Sequence, residues 1–362
     1  MQNDLVISLD GMGGDHAPQI VVEGAHLARE RYPQAKFIIF GDETKIRPLI
    51  KKYEGLEAVM DVHHTPDKIT SHDKPSIALR SGRNSSMRLA INAVGRGEAH
   101  CVVSAGNTGA LMAMAKFVLK LLPGITRPAI ATSMPTRVPG HGVVMLDLGA
   151  NVTCSPENLL EFAVLGGVFS REILKISEPR IGLLNIGAEA VKGHDVVKEA
   201  SELISAAAHL PGKYIGFVEG DDIGMGTVDV VVTDGFTGNV TLKTIEGTAK
   251  LMASLVKQAF QSSWLMKVGL VLCLPGILVA LPAFLALKKR VDPRSYNGAG
   301  MIGLKGLCIK SHGSTDGIGF AHAIGVAADM AIIKFNEKVA EELAQLGMDR
   351  NISAEAAEGD AL

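Results

Sequence analysis

The sequence has few cysteines and almost no net charge. Its four cysteines, Cys101, Cys154, Cys273 and Cys308, have no short paired spacing, which argues against a zinc site or a disulfide framework and indicates a reducing compartment. The formal net charge is −2, so no overall charge favours nucleic acid as a partner. The strand-like run at residues 5–9 follows the first residues directly, without a signal-peptide pattern, and we expect a cytoplasmic protein.

Several catalytic motifs are also missing. The sequence contains no G-x-S-x-G nucleophile motif, no Walker motif and no metal-ligand spacing that stands out. An early turn is rich in glycine, but Gly11, Gly13 and Gly14 do not have the G-x-G-x-x-G spacing of a dinucleotide fingerprint. We therefore predict neither a metal nor a cofactor.

Alternating strand and helix patterns fill most of the chain. Its 362 residues are 47% hydrophobic and include 40 glycines, a composition that fits many tightly turned βα units. The alternation predicts an α/β fold in three layers, α/β/α, with a mostly parallel sheet. We expect one catalytic domain over residues 1–347 and a disordered acidic tail over residues 348–362.

One glycine-rich turn lies between a β-branched strand and a helix. The strand ends at Thr233 and Asp234, the turn contains Gly235, Thr237 and Gly238, and a helix follows from Asn239. Glycine lets a ligand approach the backbone closely, and the N–H groups of the helix start favour a phosphate or an oxyanion. The same pattern also fits an ordinary βα connection with a capped helix.

A second turn has the same local form. Residues 102–109 read Val-Val-Ser-Ala-Gly-Asn-Thr-Gly and residues 231–238 read Val-Val-Thr-Asp-Gly-Phe-Thr-Gly. Ligands bind outside the carboxyl ends of parallel strands, so we expect both G-x-T-G loops to face one crevice. Further polar residues and glycines end other predicted strands. These site-loop candidates are Asp10, Gly13, Gly14, Asp15, Ser104, Asp147, Asn151, Asn185, Lys192, Lys310 and His312.

The segment Trp264 to Leu287 is unusually apolar. Residues 268–287 carry no charge and precede Lys288, Lys289 and Arg290, a length that fits a transmembrane helix. Pro275-Gly276 in the middle favours a break instead. We predict a protruding apolar helical hairpin at residues 261–292 that contacts a membrane surface or a second subunit.

Several long motifs together resemble the PlsX family of bacterial phosphate acyltransferases. They are Asp-Gly-Met-Gly-Gly-Asp-His-Ala-Pro (10–18), Ser-Ser-Met-Arg (85–88), Val-Ser-Ala-Gly-Asn-Thr-Gly-Ala (103–110), Leu-Asp-Leu-Gly-Ala-Asn-Val (146–152), Leu-Leu-Asn-Ile-Gly (183–187), Asp-Gly-Phe-Thr-Gly-Asn-Val-Thr-Leu-Lys-Thr (234–244) and Ile-Lys-Ser-His-Gly (309–313). They occur in the family's order over about residues 5–335, and such a set is far more specific than one glycine loop.

The resemblance implies an acyltransferase that converts acyl-[acyl-carrier-protein] and inorganic phosphate to acyl phosphate, for phospholipid synthesis. It also implies a homodimer, peripheral attachment to the inner face of the cell membrane and an acidic carrier protein, for which the expected docking residues are basic, such as Lys288, Lys289, Arg290 and Arg294. From the apolar segment and the basic triplet after it, we expect an anionic membrane surface to bind through residues 264–290. The implied fold is similar to isocitrate and isopropylmalate dehydrogenases and to phosphotransacetylase.

The required chemistry suggests roles for the loop residues. Attack of phosphate on a thioester releases a thiol of pKa about 8.5, which leaves with little help, so the enzyme must mainly hold phosphate and stabilise an oxyanion. Our phosphate-binding candidates are Gly106, Asn107, Thr108, Gly109, Gly235, Thr237, Gly238, Arg88 and Lys192, and our catalytic candidates are Asn239, Asp234, Lys310 and His312. His312 could protonate the thiolate, and Asn239 or Asn107 could donate to the oxyanion. An acyl-enzyme on Cys154 is a weaker alternative.

Two other functions remain open from the residues. A decarboxylating NAD(P)-dependent dehydrogenase could recruit Asp10, Asp15, Asp147 and Asp234 around a divalent metal, although their spacing is not clustered. The chain could also be a non-enzymatic membrane scaffold built on residues 264–287.

Overall fold

A single mixed sheet organises the molecule. The computed structural model describes residues 5–261, 264, 268–269, 272–290 and 292–359, and within them eleven strands pair in the order β3-β2-β1-β4-β11-β10-β5-β6-β9-β7-β8. The strands are β1 Val6–Asp10, β2 Lys36–Gly41, β3 Met60–His64, β4 Cys101–Ser104, β5 Ala129–Pro135, β6 Gly142–Leu146, β7 Arg180–Leu184, β8 Lys213–Val218, β9 Val230–Val232, β10 Ala299–Ile302 and β11 Leu307–Lys310.

Helices connect most of these strands. They are α1 Gln19–Arg31, α2 Glu43–Ile50, α3 Pro75–Ser81, α4 Ser86–Gly95, α5 Thr108–Leu119, α6 Pro156–Glu172, α7 Asp195–Ala206, α8 Asp222–Met225, α9 Gly235–Gln261, α10 Leu274–Arg290, α11 Gly317–Ile332 and α12 Phe335–Gly359, with a short 3₁₀ helix at Pro293–Tyr296. Several begin at the caps that their sequences encode, such as Ser85, whose side chain accepts from the N–H of Arg88.

Two hydrophobic cores cover the two faces of the sheet. In β4 the side chain of Val102 belongs to one core, and those of Cys101 and Val103 belong to the other, as the alternation of side chains along a strand requires. Helices α1, α6, α7 and α11 pack on one face, and α4 and α5 pack on the other. The predicted three-layer α/β/α arrangement is confirmed.

Strand direction reverses in the middle of the sheet. Three consecutive pairings are antiparallel, β11 with β10, β10 with β5, and β5 with β6, whereas the other pairings are parallel. Strands β1, β2, β3, β4, β5 and β11 therefore end at one side of the sheet, which we call the β4 end. Strands β6, β7, β8, β9 and β10 end at the opposite side, the β9 end.

Helix α9 begins at the β9 end and crosses one face of the sheet. Leu242 and Ile245 pack against the core of that face, and residues 247–261 beyond them are exposed. We call residues 247–261 and 272–290 the arm. The arm returns to the β4 end, where Arg290 donates to the carbonyl oxygens of Thr136 and Arg137 just after β5. Residues 262–263, 265–267, 270–271 and 291 of the predicted hairpin lie outside the described residues.

Two further expectations concern helices. Among the described residues no single helix has both the length and the apolar composition to cross a membrane, and α11 with Phe335–Gly347 satisfies both only as a pair bent by 55°. The backbone is helical as far as Gly359, where we expected a disordered tail from residue 348. Alanine and glutamate in residues 354–358 favour helix, which explains that difference. Residues 360–362 lie outside the described residues.

Candidate active site

A buried carboxylate lies at the centre of the β4 end. Asp10 is the last residue of β1 and is 1% exposed. Its carboxylate accepts from the hydroxyls of Ser86 and Ser104, both at 2.6 Å, and from the N–H of Met12 at 3.3 Å. Burial raises the pKa of Asp10, and these hydrogen bonds oppose that rise. Asp10 therefore ties the ends of β1 and β4 to the start of α4.

Close backbone contacts bring three loops together around Asp10. A Cβ on Gly13 would overlap the Asp10 carboxylate and lie 2.8 Å from the backbone nitrogen of Gly106. Gly14 has φ +102° and packs on the loop after β4. The N–H of Asp15 donates to the carbonyl of Gly313 at 2.9 Å. The loops after β1, β4 and β11 thus form one surface.

Lys310 and His312 project from the end of β11 at this surface. The Lys310 ammonium donates to the carbonyl oxygens of Ala105, at 3.4 Å, and Ser311. Burial lowers the pKa of Lys310 from 10.5 to about 8, although Asp10 and Asp15 act in the opposite direction. Burial lowers the pKa of His312, and so does the charge of Lys310. Of the α9 charges that also act on this ring, Glu246 raises its pKa, and Lys243 and Lys250 lower it.

The Nδ1 atom of His312 faces two polar groups of Ser314. Nδ1 accepts from the backbone N–H of Ser314 at 3.4 Å and lies 3.1 Å from the Ser314 hydroxyl. A neutral ring that accepts at Nδ1 carries its proton on Nε2. The backbone N–H of His312 donates to Oδ1 of Asn297 at 2.8 Å, which fixes the loop.

The loop after β4 is held by its own side chains. The Ser104 hydroxyl accepts from the N–H of Gly106 at 3.0 Å, and Oδ1 of Asn107 caps α5 by accepting from the N–H of Ala110 at 3.0 Å. The amide nitrogen of Asn107 donates to carbonyls of residues 70, 71 and 73. Asn107 therefore shapes the loop, and its amide is already engaged. Thr108 and Gly109 begin α5 at the same place.

Arg88 lies at the start of α4, but its guanidinium points away from this loop. Its Nε donates to Asn92 at 3.2 Å, one helical turn farther on, and its Cζ lies 5.0 Å from the centre of the Phe117 ring. Phe117 is nine residues along α5 from Thr108, about 13 Å at the helical rise of 1.5 Å per residue. The guanidinium of Arg88, a phosphate-binding candidate, thus lies away from this loop.

The remaining predicted residues lie at the β9 end. Asp147 accepts from the backbone N–H groups of Ile130, Gly149, Ala150 and Asn151 and from the side chain of Asn151. Burial raises its pKa against these hydrogen bonds. Asp147 therefore organises the turn after β6 as Asp10 organises the turn after β1.

The G-x-T-G loop after β9 is a capped helix start. Asp234 accepts from the N–H of Thr237 at 2.9 Å and from its hydroxyl at 2.8 Å. A Cβ on Gly238 would overlap the carbonyl oxygen of Asp147, so only glycine fits there. Asn239 is exposed near Gly149. The capping carboxylate already supplies a negative charge to this helix start.

Two more candidates follow β7 at the same end. Asn185 donates to the carbonyls of Gly187 and Lys192 at 3.2 and 3.1 Å and holds their loop closed. The ammonium of Lys192 pairs with Glu189 at 2.8 Å. These contacts give Asn185 a structural part in the loop and leave Lys192 at the β9 end.

The two G-x-T-G loops follow strands that run in opposite directions, and a crevice shared by both loops stays a prediction. The loop after β4 lies at the β4 end, the loop after β9 lies at the β9 end, and a strand of five residues separates such ends by about 17 Å. The reversal arises from the antiparallel pairings of β10, β5 and β6. The structure therefore divides the predicted site residues into two groups.

Cys154 lies at the β9 end beside Asp147 and Asp234. Burial and these two carboxylates raise the pKa of its thiol to about 12. A thiol with that pKa is almost fully protonated at neutral pH, and the thiolate is the nucleophilic form. This environment weakens the acyl-enzyme alternative.

Sequence reasoning missed two residues that hold the β4 end together. Ser86 binds Asp10, and Asn297 donates to the Ser311 hydroxyl at 2.8 Å and to the carbonyl of Gly319 at 2.7 Å. The sequence contains a cue to the importance of each of these two residues. Ser86 lies in the Ser-Ser-Met-Arg motif, and Asn297 precedes Gly298, which has φ +114°.

Comparison with known proteins agrees with this architecture. A family model described as "Fatty acid synthesis protein" matches residues 5–338. The chain is 58% identical over 346 residues to a phosphate acyltransferase of Rhodospirillum centenum, covering 96% of this chain and 95% of that protein. It is 52% identical over 346 residues to a phosphate acyltransferase of Rhodospirillum rubrum, covering 96% of each.

Solved structures show the same fold at low sequence identity. A phosphotransacetylase from Streptococcus pyogenes has a TM-score of 0.62 at 16% identity, covering 92% of this chain and 95% of that one. A protein described as a 4-hydroxythreonine-4-phosphate dehydrogenase from Salmonella typhimurium has a TM-score of 0.52 at 12% identity, covering 91% and 100%. The predicted fold similarity is confirmed. By sequence, this chain belongs to the phosphate acyltransferase family and is an acyltransferase.

Proposed function

We propose that the chain transfers an acyl group from the thioester of acyl carrier protein to inorganic phosphate at the β4 end, for phospholipid synthesis. A phosphate oxygen attacks the carbonyl carbon, the C–O bond to phosphate forms, and the C–S bond breaks. The electron pair leaves with sulfur, which takes up a proton to give the free carrier thiol. The observation that carries this proposal is the convergence of Lys310, His312 and three glycine loops on one surface.

Lys310 is the proposed cation and proton donor. Its pKa of about 8 keeps the ammonium mostly protonated at neutral pH, so it can stabilise the oxyanion of the tetrahedral intermediate. The same value is close to the pKa of about 8.5 for a thiol. Such a match favours proton transfer to the leaving thiolate.

His312 is proposed to donate a hydrogen bond from Nε2 to the oxyanion. Its lowered pKa favours the neutral ring, which is a poor acid toward a thiolate but a good hydrogen-bond donor. This assignment replaces the expectation that His312 protonates the thiolate. Ser314 and Asn297 orient the ring and its loop.

Phosphate is proposed to bind at the start of α5. The first N–H groups of a helix have no acceptor within the helix and attract an anion, and Thr108 and Gly109 supply them here. The corresponding helix start at Gly235 is capped by Asp234. Because a second negative charge would be repelled there, the loop after β4 is the better phosphate site.

Replacement of Lys310 tests the reaction and the site together. Acyl phosphate formed from acyl carrier protein and phosphate would be trapped with hydroxylamine and measured for the wild type, Lys310→Met and Lys305→Met. Loss of an oxyanion donor costs about a hundredfold to a thousandfold in kcat, and we expect that loss only for Lys310→Met. Lys305, an exposed lysine five residues earlier, is the matched control. A Lys310→Met rate within about twofold of wild type would contradict the assignment.

The arm is proposed to bind an anionic membrane surface. It exposes large apolar side chains, including Leu251 (57%), Leu272 (75%) and Val279 (85%), beside basic residues such as Lys250 and Lys257. Basic and apolar side chains together favour the interface of an anionic bilayer. In co-sedimentation with anionic vesicles we expect Val279→Glu to reduce binding, and Val191→Glu, at an equally exposed loop position (83%), to leave it unchanged. Equal loss in both variants would contradict a role for the arm.

The chain is also proposed to form a homodimer. Phe236 and Val240 at the start of α9 are 63% and 51% exposed, and a second copy of the chain could cover them. Analytical ultracentrifugation should give twice the chain mass for the wild type and a shift toward the single chain for Val240→Glu. A wild type that sediments as a single chain at all concentrations would refute the dimer.

The basic docking residues expected for the carrier protein are partly engaged elsewhere. Arg290 binds the carbonyls of Thr136 and Arg137, and Arg294 pairs with Asp292 at 2.6 Å and with Asp316 at 3.0 Å. The side chain of Lys289 lies outside the described residues.

A further inference from the structure

An open pocket of about 520 Å³ lies between the turn after β1 and one stripe of α2. Lys45, Pro48 and Leu49 line it at positions i, i+3 and i+4, which share one face of a helix. Lys52 follows at i+7 in the turn that continues α2, where its N–H donates to the carbonyl of Leu49 at 3.1 Å. His16 and Pro18 form the opposite wall.

The pocket is adjacent to the candidate active site. His16 directly follows Asp15, whose N–H donates to the carbonyl of Gly313 at 2.9 Å. Gly313 in turn follows His312. The wall of the pocket at His16 is therefore joined through Asp15 to the loop that carries His312.

The charge and polarity of the pocket favour one kind of ligand. Both lysines are exposed, and although Lys45 pairs with Asp42 at 2.9 Å, its side chain remains 61% exposed. No acidic side chain is among the described residues that line the pocket. Between the lysines the wall is apolar, formed by Pro48 and Leu49. Two ammonium groups around an apolar floor suit a phosphodiester that continues into an uncharged chain.

We propose that this pocket binds the phosphopantetheine arm of the acyl donor, with the phosphodiester at Lys45 and Lys52 and the pantetheine chain over Pro48 and Leu49. The thioester at the end of that chain then lies at Lys310. This inference rests on the proposed function. Carrier protein and coenzyme A share the same phosphorylated arm, so the pocket chemistry is common to both donors.

Kinetics of Lys52→Glu test the pocket against a neighbouring control. Lys51 is exposed and adjacent in sequence but does not line the pocket, so Lys51→Glu makes the same change in net charge. With acyl carrier protein or acyl-coenzyme A as donor, we expect Lys52→Glu to raise the donor KM about fivefold to tenfold, with kcat and the phosphate KM unchanged. With acyl-pantetheine, which lacks the phosphate, both variants should match the wild type.

Three results would overturn the proposal. Equal donor KM values for the two variants would show that only the change in net charge matters, not the position of Lys52 in the pocket. An equal loss with acyl-pantetheine would mean that the phosphodiester is not what Lys52 recognises. A raised KM for inorganic phosphate would mean that the pocket binds the other substrate.

A binding measurement separates this inference from the reaction itself. Fluorescence anisotropy would compare carrier protein that has its phosphopantetheine arm with carrier protein that lacks it. We expect the phosphopantetheine group to strengthen binding of carrier protein to the wild type and to Lys51→Glu but not to Lys52→Glu. Competition by coenzyme A would show that this gain in affinity comes from the phosphopantetheine group. If the phosphopantetheine group gave no gain in affinity, the proposed role of the pocket would be refuted. A wild type that binds this group but forms no acyl phosphate would refute only the proposed function.

Discussion

Replacing Lys310 with methionine should stabilise the fold while it removes activity. Burial lowers the pKa of this ammonium from 10.5 to about 8, which means that the folded chain holds the charge less favourably than the unfolded chain does. This fall in pKa from 10.5 to about 8 corresponds to about 3 kcal/mol. Methionine has a similar length and no charge, but the hydrogen bonds to Ala105 and Ser311 are lost with the ammonium. We therefore expect a gain of about 1–3 kcal/mol in the free energy of unfolding at pH 7.

The gain should depend on pH in a defined direction. Below pH 8 the lysine is charged in both states, and the full burial cost applies. Between pH 8 and 10.5 the folded chain binds fewer protons than the unfolded chain, so wild-type stability rises with pH. The advantage of Lys310→Met should therefore shrink across this interval.

Urea unfolding at pH 7 and pH 9.5 measures this effect directly. The wild type, Lys310→Met and Lys305→Met would be compared at both pH values, with the control expected to stay near the wild type. If Lys310→Met were less stable than the wild type at pH 7, the burial argument would fail. A gain that stayed constant across pH would also refute it, because the cause would then not be the ammonium charge.

Residues at both ends of the sheet give three further predictions. Activity should fall about tenfold from pH 7 to pH 9, because Lys310 loses its proton near pH 8. In Lys310→Arg the side chain stays charged, so the rate–pH profile of this variant should not show that fall. Gly238→Ala should destabilise the fold by about 1–3 kcal/mol through overlap with Asp147, whereas Gly247→Ala, with open space around it, should not destabilise it in thermal unfolding. Cys154→Ala should keep most acyl phosphate formation, and near-complete loss in a folded variant would instead support an acyl-enzyme.

The local structure of this chain was largely predictable. β-branched runs such as residues 228–233 form strands because their side chains pack on both faces of the sheet. Glycine turns and capping residues such as Asp234 mark helix starts by satisfying backbone N–H groups nearby in sequence. These features depend on neighbours within a few residues. The family motifs added the fold and the reaction class.

The positions of long side chains were not predictable in the same way. Arg88 was expected to bind phosphate, yet its guanidinium lies over the ring of Phe117 on a neighbouring helix. Asn107 was expected to face substrate, yet its amide binds residues 70–73. Both outcomes depend on elements that lie far away in sequence.

The sequence by itself determined the βα units, the two similar G-x-T-G loops, the polar residues at each strand end and the family. Only the tertiary structure decided which of those strand ends meet. The pattern of side chains along a strand does not show whether the strand pairs in parallel or antiparallel, because side chains alternate between the two faces in both cases. The reversal at β10, β5 and β6 therefore places Lys310, His312 and the loop after β4 at one end of the sheet. The loop after β9 lies at the other end.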